Sequence, residues 1–307
     1  MKHGCPYIFG EVLFDCFPDG AKVLGGAPFN VAWHLQAFGE SPLFISRVGM
    51  DEEGRAILDA MHRHGMRTDG VQIDASLPTG RVQVSFEGGE PEYDIVHPSA
   101  WDAIEGGEYG DDCRLIYHGS LALRDARSRA ALAQLKAQCR SAPKDAGVFL
   151  DVNLRAPWWR QEQLAGLLDA ADWVKLNGDE LAVIAPSCSA ADVLSGSGLT
   201  GLILTHGADG AEIVTPANET IRVWPEQSTQ VVDTVGAGDA FASVMLLGIL
   251  RGWPLEITAG RAQAFAARMV GVRGATVDDT NFYSEVAAGW QDEDGGQALD
   301  RRFKGNV

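Results

Sequence analysis

The chain has 307 residues, a formal net charge of −17 and five cysteines. This length can bury the core of one large domain, and the negative charge argues against nucleic acid as a partner. The cysteines are scattered without a Cys-x-x-Cys pair, which argues against a disulfide framework or a structural zinc site and favours a cytoplasmic protein. The sequence contains no run of about 18 apolar residues and no signal-peptide pattern, so we expect no membrane association.

The first part of the chain predicts a buried strand followed by a helix that starts at glycines. The apolar stretch from Tyr7 to Phe14 predicts the strand, which leads to Asp15. The helix opens at Gly25-Gly26-Ala27-Pro28-Phe29-Asn30, where Pro28 fits the first turn because an N–H there would have no helical partner. The predicted elements of this part are strands at 7–14, 21–24 and 43–48 and helices at 28–38 and 51–64.

A change of pattern between Val71 and Val96 indicates a small, separate sheet. Two alternating runs, 81–86 and 92–96, flank a turn with two glycines and predict a hairpin with one solvent-facing side. Together with the strand at 21–24 they form a predicted lid. The predicted organisation is a main domain over 1–285, with lid strands at about 12–25 and 79–97, and a loosely held C-terminal tail over 286–307.

After residue 100 the pattern alternates between strands and helices. Such alternation is typical of a parallel sheet with crossover helices, and therefore of an α/β fold. The predicted strands are 115–118, 147–153, 173–177, 202–205, 211–215 and 221–224, and the predicted helices are 127–138, 162–170, 179–185, 240–250 and 255–270.

A glycine-rich turn precedes the helix predicted at 240–250. It reads Gly236-Ala237-Gly238 and is followed by Asp239 and by apolar residues on every helical face. The first amides of a helix lack intrahelical partners and bind anions, and glycine lets a phosphate approach the backbone. A carboxylate in that first turn can accept a proton from a nucleophile, which suits phosphoryl transfer. The alternative is that Asp239 only caps the helix.

Polar residues follow several predicted strands. Ligands of α/β sheets bind at the carboxyl ends of the strands, so we expect these residues to share one edge. Two alternatives remain: Asp151 or Asn177 could be a simple helix cap, and His97 and His118 could be structural. The segments concerned are Asp15, His118-Gly119-Ser120, 151–155, Asn177-Gly178-Asp179-Glu180 and Thr205-His206-Gly207.

Four segments together resemble the PfkB, or ribokinase-type, carbohydrate kinases. They are Gly25 to Asn30, Asn177 to Glu180 as the family's Asn-x-x-Glu, Thr205 to Gly210 as its nucleotide loop, and Asp233 to Asp239. Their order and spacing agree from Ile8 to about Val277. The resemblance implies a ribokinase-like three-layer α/β/α sandwich with about nine strands and a small β-sheet lid. It also implies transfer of the ATP γ-phosphate to a sugar hydroxyl.

The resemblance further assigns roles to individual residues. Asp239 would be the base, and the amides of Gly236, Ala237 and Gly238, here called the anion hole, would hold the charge on the transferred phosphoryl. Magnesium would be organised largely through water, as this ion prefers. The family also implies a homodimer formed through the lid sheets. The other implied contacts are Asp15, Gly25, Gly26 and Asn30 to the sugar, Asn177 and Glu180 to Mg²⁺ and phosphates, Thr205, Gly207 and Gly210 to ATP, and Asp233 and Val235 to a monovalent cation such as K⁺.

The prediction of the sugar depends on two sequence segments and on the absence of an arginine. Residues 10–15 and 151–155, the latter followed by Trp158-Trp159, resemble fructokinases and 2-keto-3-deoxygluconate kinases more than ribokinases. Ketodeoxygluconate kinases typically hold the substrate carboxylate with a Tyr-x-Arg pair ahead of a Ser-Ala. Here the segment before Ser99-Ala100 carries no arginine and has Asp94. Because a desolvated carboxylate needs a cationic partner, we expect a neutral sugar, with fructose first.

Several alternatives stay open at this stage. Arg155 could contact the sugar or the phosphate, or pair with a neighbouring acid, and Trp158-Trp159 could shield the site or pack on the surface. The substrate could be ketodeoxygluconate, ribose or that of another PfkB-type kinase. The presence of all the catalytic motif residues argues against a non-catalytic binding protein. A dinucleotide-dependent dehydrogenase lacks support because the third glycine of Gly-x-Gly-x-x-Gly is missing, and no P-loop lysine motif occurs.

Overall fold

The computed structural model describes residues 4–87, 90–140, 146–217, 219–225 and 231–290. A nine-stranded sheet contains β1 (Cys5–Phe9), β4 (Leu43–Gly49), β5 (Val71–Asp74), β8 (Cys113–His118), β9 (Gly147–Asp151), β10 (Trp173–Asn177), β11 (Gly201–Thr205), β12 (Ala211–Val214) and β13 (Thr220–Val223). The lid sheet contains β2 (Leu13–Cys16), β3 (Lys22–Gly25), β6 (Gly80–Glu87) and β7 (Glu90–Ile95). The helices are α1 (Ala27–Ala37), α2 (Glu52–Arg63), α3 (Ala126–Arg140), α4 (Gln161–Asp169), α5 (Gly178–Ile184), α6 (Ala190–Ser195), α7 (Ala237–Arg251), α8 (Leu255–Val270) and a last one over 280–290.

The large sheet is parallel except at one edge. Its order is β13-β12-β11-β10-β9-β8-β1-β4-β5, and only β12 and β13 run antiparallel to their neighbours. All five residues of β1 are buried, as expected for a strand covered on both faces. The carboxyl ends of seven parallel strands therefore lie at one edge of the sheet.

Alternate residues of the strands pack into two hydrophobic cores. Ile8 and Phe44 face the core formed with α1, α7 and α8, whereas Tyr7 and Phe9 face the core that contains Leu132 of α3. This two-residue period places helices on both faces of the sheet. The predicted three-layer α/β/α sandwich is confirmed.

Helix α7 begins and ends at glycines in the left-handed conformation. Gly236 has φ 81°, and a Cβ placed on it would lie 2.4 Å from the Cβ of Ala275. Gly252 ends the helix with φ 67°. Nearly every residue from Ala240 to Leu250 is buried, so the prediction of a helix apolar on all faces is confirmed.

One carboxylate of the body forms ion pairs with two strands of the lid sheet. Its strands run in the order β3-β2-β6-β7, with β2 and β6 parallel. Glu53, on α2, accepts Lys22 Nζ of β3 at 2.7 Å and Arg81 Nη2 of β6 at 2.9 Å. The Glu53 side chain is only 10% exposed, so this contact fixes two lid strands over the body.

Some elements differ from the sequence-based expectation. Strand β5 was not predicted, because it lies at the sheet edge with Ile73 54% exposed and therefore lacks an apolar run. The boundary predicted at residue 285 falls inside the helix at 280–290, where Trp290 is buried 4.8 Å from the ring of Phe38. The turn residues Gly88 and Gly89, Asn218 and the tail from 291 lie outside the described residues. Within the described ranges, no helix has both the length and the apolar character needed to span a bilayer.

Replacing Glu53 with alanine should loosen the lid without unfolding the body. Because exposed and half-exposed ion pairs contribute up to about 1 kcal/mol, we expect backbone amides of β3 and β6 to exchange with solvent about fivefold faster. Amides of β1 and β8 should keep the wild-type rate, measured by hydrogen–deuterium exchange mass spectrometry. Glu52→Ala, an exposed position in the same helical turn, is the control. Equal exchange of the lid in both variants would contradict the role of Glu53.

Candidate active site

The starts of α1 and α7 meet through one hydrogen bond. Asn30 Nδ2, in the first turn of α1, donates to Asp239 Oδ2, in the first turn of α7, at 2.7 Å. Asn30 is 4% exposed, and its Oδ1 has no partner among the described residues. Helix α7 has no side-chain cap hydrogen bond within the described chain. Asp239 is therefore oriented by Asn30, rather than used to cap its own helix.

The carboxyl of Asp239 has a shifted pKa. Burial is the largest cause and raises the pKa to about 6, while the bond from Asn30 lowers it. The charge of Asp151 also raises this pKa, and Lys175 and Arg155 lower it. At neutral pH the group is ionised and basic enough to accept a proton from a hydroxyl.

The glycines before α1 let Asp15 and Glu11 approach that helix. Gly26 is the N-cap with φ 113°, and a Cβ there would lie 2.7 Å from the Glu11 carbonyl oxygen, so only glycine fits. The corresponding Cβ position on Gly25 lies 3.6 Å from Asp15 Oδ2. Burial raises the pKa of Asp15 to about 6. Asp15 thus lies directly against the loop that opens α1.

A buried ion pair lies beside the anion hole. Lys175 Nζ, on β10, is 2.9 Å from both carboxylate oxygens of Asp151, at the end of β9. The hydroxyl of Tyr117 donates to Asp151 Oδ2 at 3.2 Å. A Cβ built on Gly238 would lie 3.6 Å from Lys175 Nζ, so the ammonium group is adjacent to the first turn of α7. Asp151 is consequently an ion-pair partner and not a helix cap.

Asn177 and Glu180 form a capping box at the start of α5. Asn177 Oδ1 accepts from Glu180 N at 2.9 Å, and Glu180 Oε2 accepts from Asn177 N at 2.9 Å. Glu180 Oε1 accepts from Leu154 N at 2.8 Å. Both carboxylate oxygens already accept a hydrogen bond from a backbone amide. Glu180 is therefore better suited to contact Mg²⁺ through a bridging water than to coordinate it directly. Burial raises the pKa of Glu180, and the two amides lower it.

The loop from Thr205 to Gly210 follows β11 and is mostly exposed. Thr205 Oγ1 donates to Leu176 O at 3.3 Å, and His206 N donates to Gly210 O at 2.8 Å. Gly207 has φ 57° and Gly210 has φ 96°. A Cβ on Gly210 would lie 2.0 Å from Val223 O, so the turn itself requires this glycine. The loop lies next to the Asn177 end of β10, because Asn177 pairs with Thr205.

Asp233 ties the segment before α7 to the loop after α8. Its Oδ1 accepts from Val235 N at 3.0 Å and its Oδ2 from Gly274 N at 3.1 Å. Val235 is 48% exposed. These bonds fix the backbone that leads into Gly236, which gives Asp233 a structural role at this position.

Arg155 is exposed, and its Nη1 donates to Leu154 O at 3.2 Å. The positive charge of Arg155 nevertheless acts on the site: it lowers the pKa of Asp239 and of Glu11, although burial has the larger, opposite effect on both.

His118 is buried, and burial holds its pKa well below the ordinary value, so it is neutral. Trp158 packs on Arg124 at 4.2 Å and on His97 at 5.2 Å.

Three side chains in this region were missed by sequence reasoning: Lys175, Glu11 and Arg124. Lys175 has a local signal, since it is a lone lysine inside an otherwise buried strand. Glu11 also has one, because it lies two residues after the end of the buried strand β1. Arg124 has no local signal in the sequence, because its partner Val96 O, to which it donates at 2.8 Å, lies 28 residues earlier in the chain. The segment before Ser99 carries no arginine in sequence, but an arginine folds back onto it.

Replacing Lys175 with methionine should leave Asp151 as an unpaired buried charge. The expected loss is about 3–5 kcal/mol in the free energy of unfolding, measured by urea denaturation at pH 7. The double replacement Lys175→Met with Asp151→Leu should recover most of this loss, since no buried charge remains. A single variant as stable as the wild type would contradict a buried ion pair.

Comparisons with known proteins identify the family of this chain. The sequence profile described as pfkB family carbohydrate kinase matches residues 17–281. Fructokinase-2 of rice (Oryza sativa subsp. japonica) is 31% identical over 271 residues, which cover 79% of this chain and 79% of that protein.

Two solved structures share the fold. The ATP-bound fructokinase of Xylella fastidiosa superposes with a TM-score of 0.82 at 24% identity, over 94% of this chain and 99% of that chain. Aminoimidazole riboside kinase of Salmonella enterica, complexed with aminoimidazole riboside and an ATP analog, gives a TM-score of 0.78 at 25% identity, over 91% and 98%. The chain therefore belongs to the pfkB family of carbohydrate kinases, and it is a phosphotransferase with an alcohol group as acceptor.

Proposed function

We propose that this sugar kinase transfers the γ-phosphate of ATP to a hydroxyl of a neutral sugar, with fructose as the first choice. The observation that carries the proposal is the 2.7 Å bond between Asn30 Nδ2 and Asp239 Oδ2 at two helix starts. Asn30 holds one oxygen of the carboxylate, which leaves the other to accept a proton. The open Oδ1 of Asn30 is an acceptor for a sugar hydroxyl beside it.

In this mechanism the sugar O–H proton passes to Asp239 as the sugar oxygen bonds to the γ-phosphorus. The bond between that phosphorus and the β,γ-bridging oxygen breaks, and ADP leaves. The amides of Gly236, Ala237 and Gly238 stabilise the charge on the transferred phosphoryl, since they lie at the N-terminus of α7. Lys175 adds a nearby positive charge, partly balanced by Asp151.

The nucleotide side of the site is proposed to include Thr205, Gly207, Gly210 and Asn177. When bound, Mg²⁺ neutralises phosphate charge, and Glu180 would hold it through water because its two oxygens also accept amides. Asp233 and Val235 are proposed to border a K⁺ site. The hydrogen bond from Val235 N to Asp233 Oδ1 at 3.0 Å orders the backbone of this turn.

The charges in the site favour a neutral substrate. Glu11, Asp15 and Asp239 all have pKa values raised chiefly by burial, to about 7, about 6 and about 6. A further carboxylate among them would be repelled. Arg124 lies near the position where a sugar acid would need a cation, but Asp102 already neutralises it through two bonds of 2.6 and 2.8 Å.

The lid edges and the cysteines support two further parts of the proposal. Strands β3 and β7 are the open edges of the lid sheet, and Tyr93 on β7 is 56% exposed. Pairing of two lids into a homodimer would cover these edges. All five cysteines are free thiols, which suits a cytoplasmic protein. The mass of the particle in solution tests the dimer directly.

A panel of acceptors tests the substrate. ADP production should be measured with ATP, Mg²⁺ and either fructose, ribose or 2-keto-3-deoxygluconate. We expect the highest kcat/KM with fructose. Saturation by ribose or by the sugar acid at a far lower concentration than fructose would overturn the choice of sugar. The assignment of sugar kinase activity would still hold.

Asp239→Asn should abolish transfer and keep the fold. Loss of a general base lowers kcat about 100- to 10,000-fold. The raised pKa means that the native state binds this proton more tightly than the unfolded chain, so stability from it is lost as pH rises from 3.8 to about 6. The neutral amide avoids that loss, so the melting temperature at pH 7 should equal or exceed the wild-type value. Substantial turnover by the folded variant would refute Asp239 as the base.

The pH dependence of kcat/KM should show an acidic limb near pH 6. Below this value Asp239 is protonated and cannot accept the hydroxyl proton, so activity should fall about tenfold per pH unit. Asp15→Asn removes the other site carboxyl with a pKa of about 6 and should retain the limb at a lower kcat/KM. Disappearance of the limb in Asp15→Asn would assign it to Asp15 instead.

A further inference from the structure

A second set of buried polar side chains lies beside the proposed catalytic centre. Glu11 follows β1 and is 2% exposed, and its Oε2 has no hydrogen-bond partner among the residues described. The side chain of Arg124 is also 2% exposed, and its Nη1 likewise has no hydrogen-bond partner among the described residues. Buried polar atoms are nearly always bonded to protein, water or ligand, so two open atoms in one region need an explanation.

The guanidinium of Arg124 is held rigidly on all sides but one. Its Nε and Nη2 donate to the two oxygens of Asp102 at 2.6 and 2.8 Å, and Nη2 also donates to Val96 O at 2.8 Å. The rings of Trp101 and Trp158 lie 4.1 and 4.2 Å from its centre. Only the edge with Nη1 remains for another group, and the charge is already balanced by Asp102.

The backbone links this arginine to the proposed sugar loop. The Cβ position on Gly26 lies 2.7 Å from Glu11 O, so residue 11 touches the start of α1. The Cβ position on Gly80 lies 2.3 Å from Trp101 Nε1 and 2.7 Å from Val12 O. Residues 11 and 12 therefore run between the loop that opens α1 and the tryptophan that covers Arg124.

Electrostatics place Glu11 within range of both the base and the arginine. Burial is the main cause of its raised pKa, the charge of Asp239 raises it further, and Arg155 and Arg124 lower it. The charges of Asp239 and of Arg124 therefore both act on the Glu11 carboxyl.

We propose that Glu11 and Arg124 form a hydroxyl-binding subsite that selects a neutral sugar at a position other than the hydroxyl that is phosphorylated. The inference rests on the proposed function. The open carboxylate oxygen accepts a hydrogen bond, and the open guanidinium N–H donates one. A sugar hydroxyl does both at once, or two neighbouring hydroxyls divide the task. A sugar carboxylate fits poorly, because the Glu11 carboxylate would repel it and the charge of Arg124 is already balanced by Asp102.

The test compares one sugar with its monodeoxy analogues, using whichever neutral sugar the wild-type enzyme phosphorylates best. The variants are Glu11→Met, which keeps length without hydrogen bonding, and Arg124→Lys, which keeps the charge toward Asp102 but loses the planar fork. In the wild type, one analogue should lose about 10- to 100-fold in kcat/KM. With the parent sugar, kcat/KM of each variant should fall by a similar factor, because KM for the sugar rises. With that one analogue, kcat/KM of each variant should be only slightly below the wild-type value for the same analogue.

Arg129→Lys is the control, because Arg129 donates to the carbonyls of Leu123 and Arg124 and should not discriminate between analogues. Equal losses with the parent sugar and every analogue, or no loss in either variant, would overturn the subsite. A wild-type enzyme that phosphorylates no neutral sugar would refute the proposed function and the subsite together. Phosphorylation without analogue-dependent loss would refute the subsite alone.

A second measurement covers the case in which a variant fails to fold. Trp101 and Trp158 flank Arg124, so binding of the sugar without ATP should change the tryptophan fluorescence of the wild-type enzyme in a saturable manner. Trp158→Phe keeps a ring on Arg124 and should reduce the amplitude of this change. An amplitude unaffected by Trp158→Phe would place the sugar away from Arg124 and contradict the proposal.

Discussion

The site depends on one hydrogen bond, between Asn30 and Asp239. Each residue lies in the first turn of a helix that starts at a glycine with positive φ, Gly26 for α1 and Gly236 for α7. Glycine removes the side chain that would block each start, and both helices pack in the same hydrophobic core. The core therefore fixes how closely the two helix starts, and with them the carboxylate and the amide, approach each other.

The parallel sheet supplies the rest of the polar groups, and burial makes their charges interdependent. Tyr117, Asp151 and Lys175 come from adjacent strands β8, β9 and β10 and form one buried network below α7. Asp151 raises the pKa of Asp239 and Lys175 lowers it, although burial dominates. A substitution in the network should therefore change the pKa of Asp239, the proposed base, without contacting it. In the proposed mechanism the same residues serve catalysis and stability.

Features with a local cause could be predicted from the sequence, and those with a distant cause could not. The spacing of apolar residues in the strands and helices predicted the layered fold. The Gly236-Ala237-Gly238 turn predicted the start of the helix that follows it, because glycine affects the backbone conformation only locally. Asn177 and Glu180 were recognisable for a similar reason, since a capping box spans one turn. Arg124 was not, because its contact with Val96 exists only after the segment that follows β8 folds against the segment that follows β7.

The separation of 209 residues between Asn30 and Asp239 bears on how this family can diversify. Recombination between two relatives with a crossover anywhere in that interval would draw α1 from one parent and α7 from the other. Such hybrids keep both side chains of the hydrogen bond but combine helix surfaces that were never selected to pack together. Viable exchanges should therefore transfer the first and last parts of the chain as a unit and vary the segment between them.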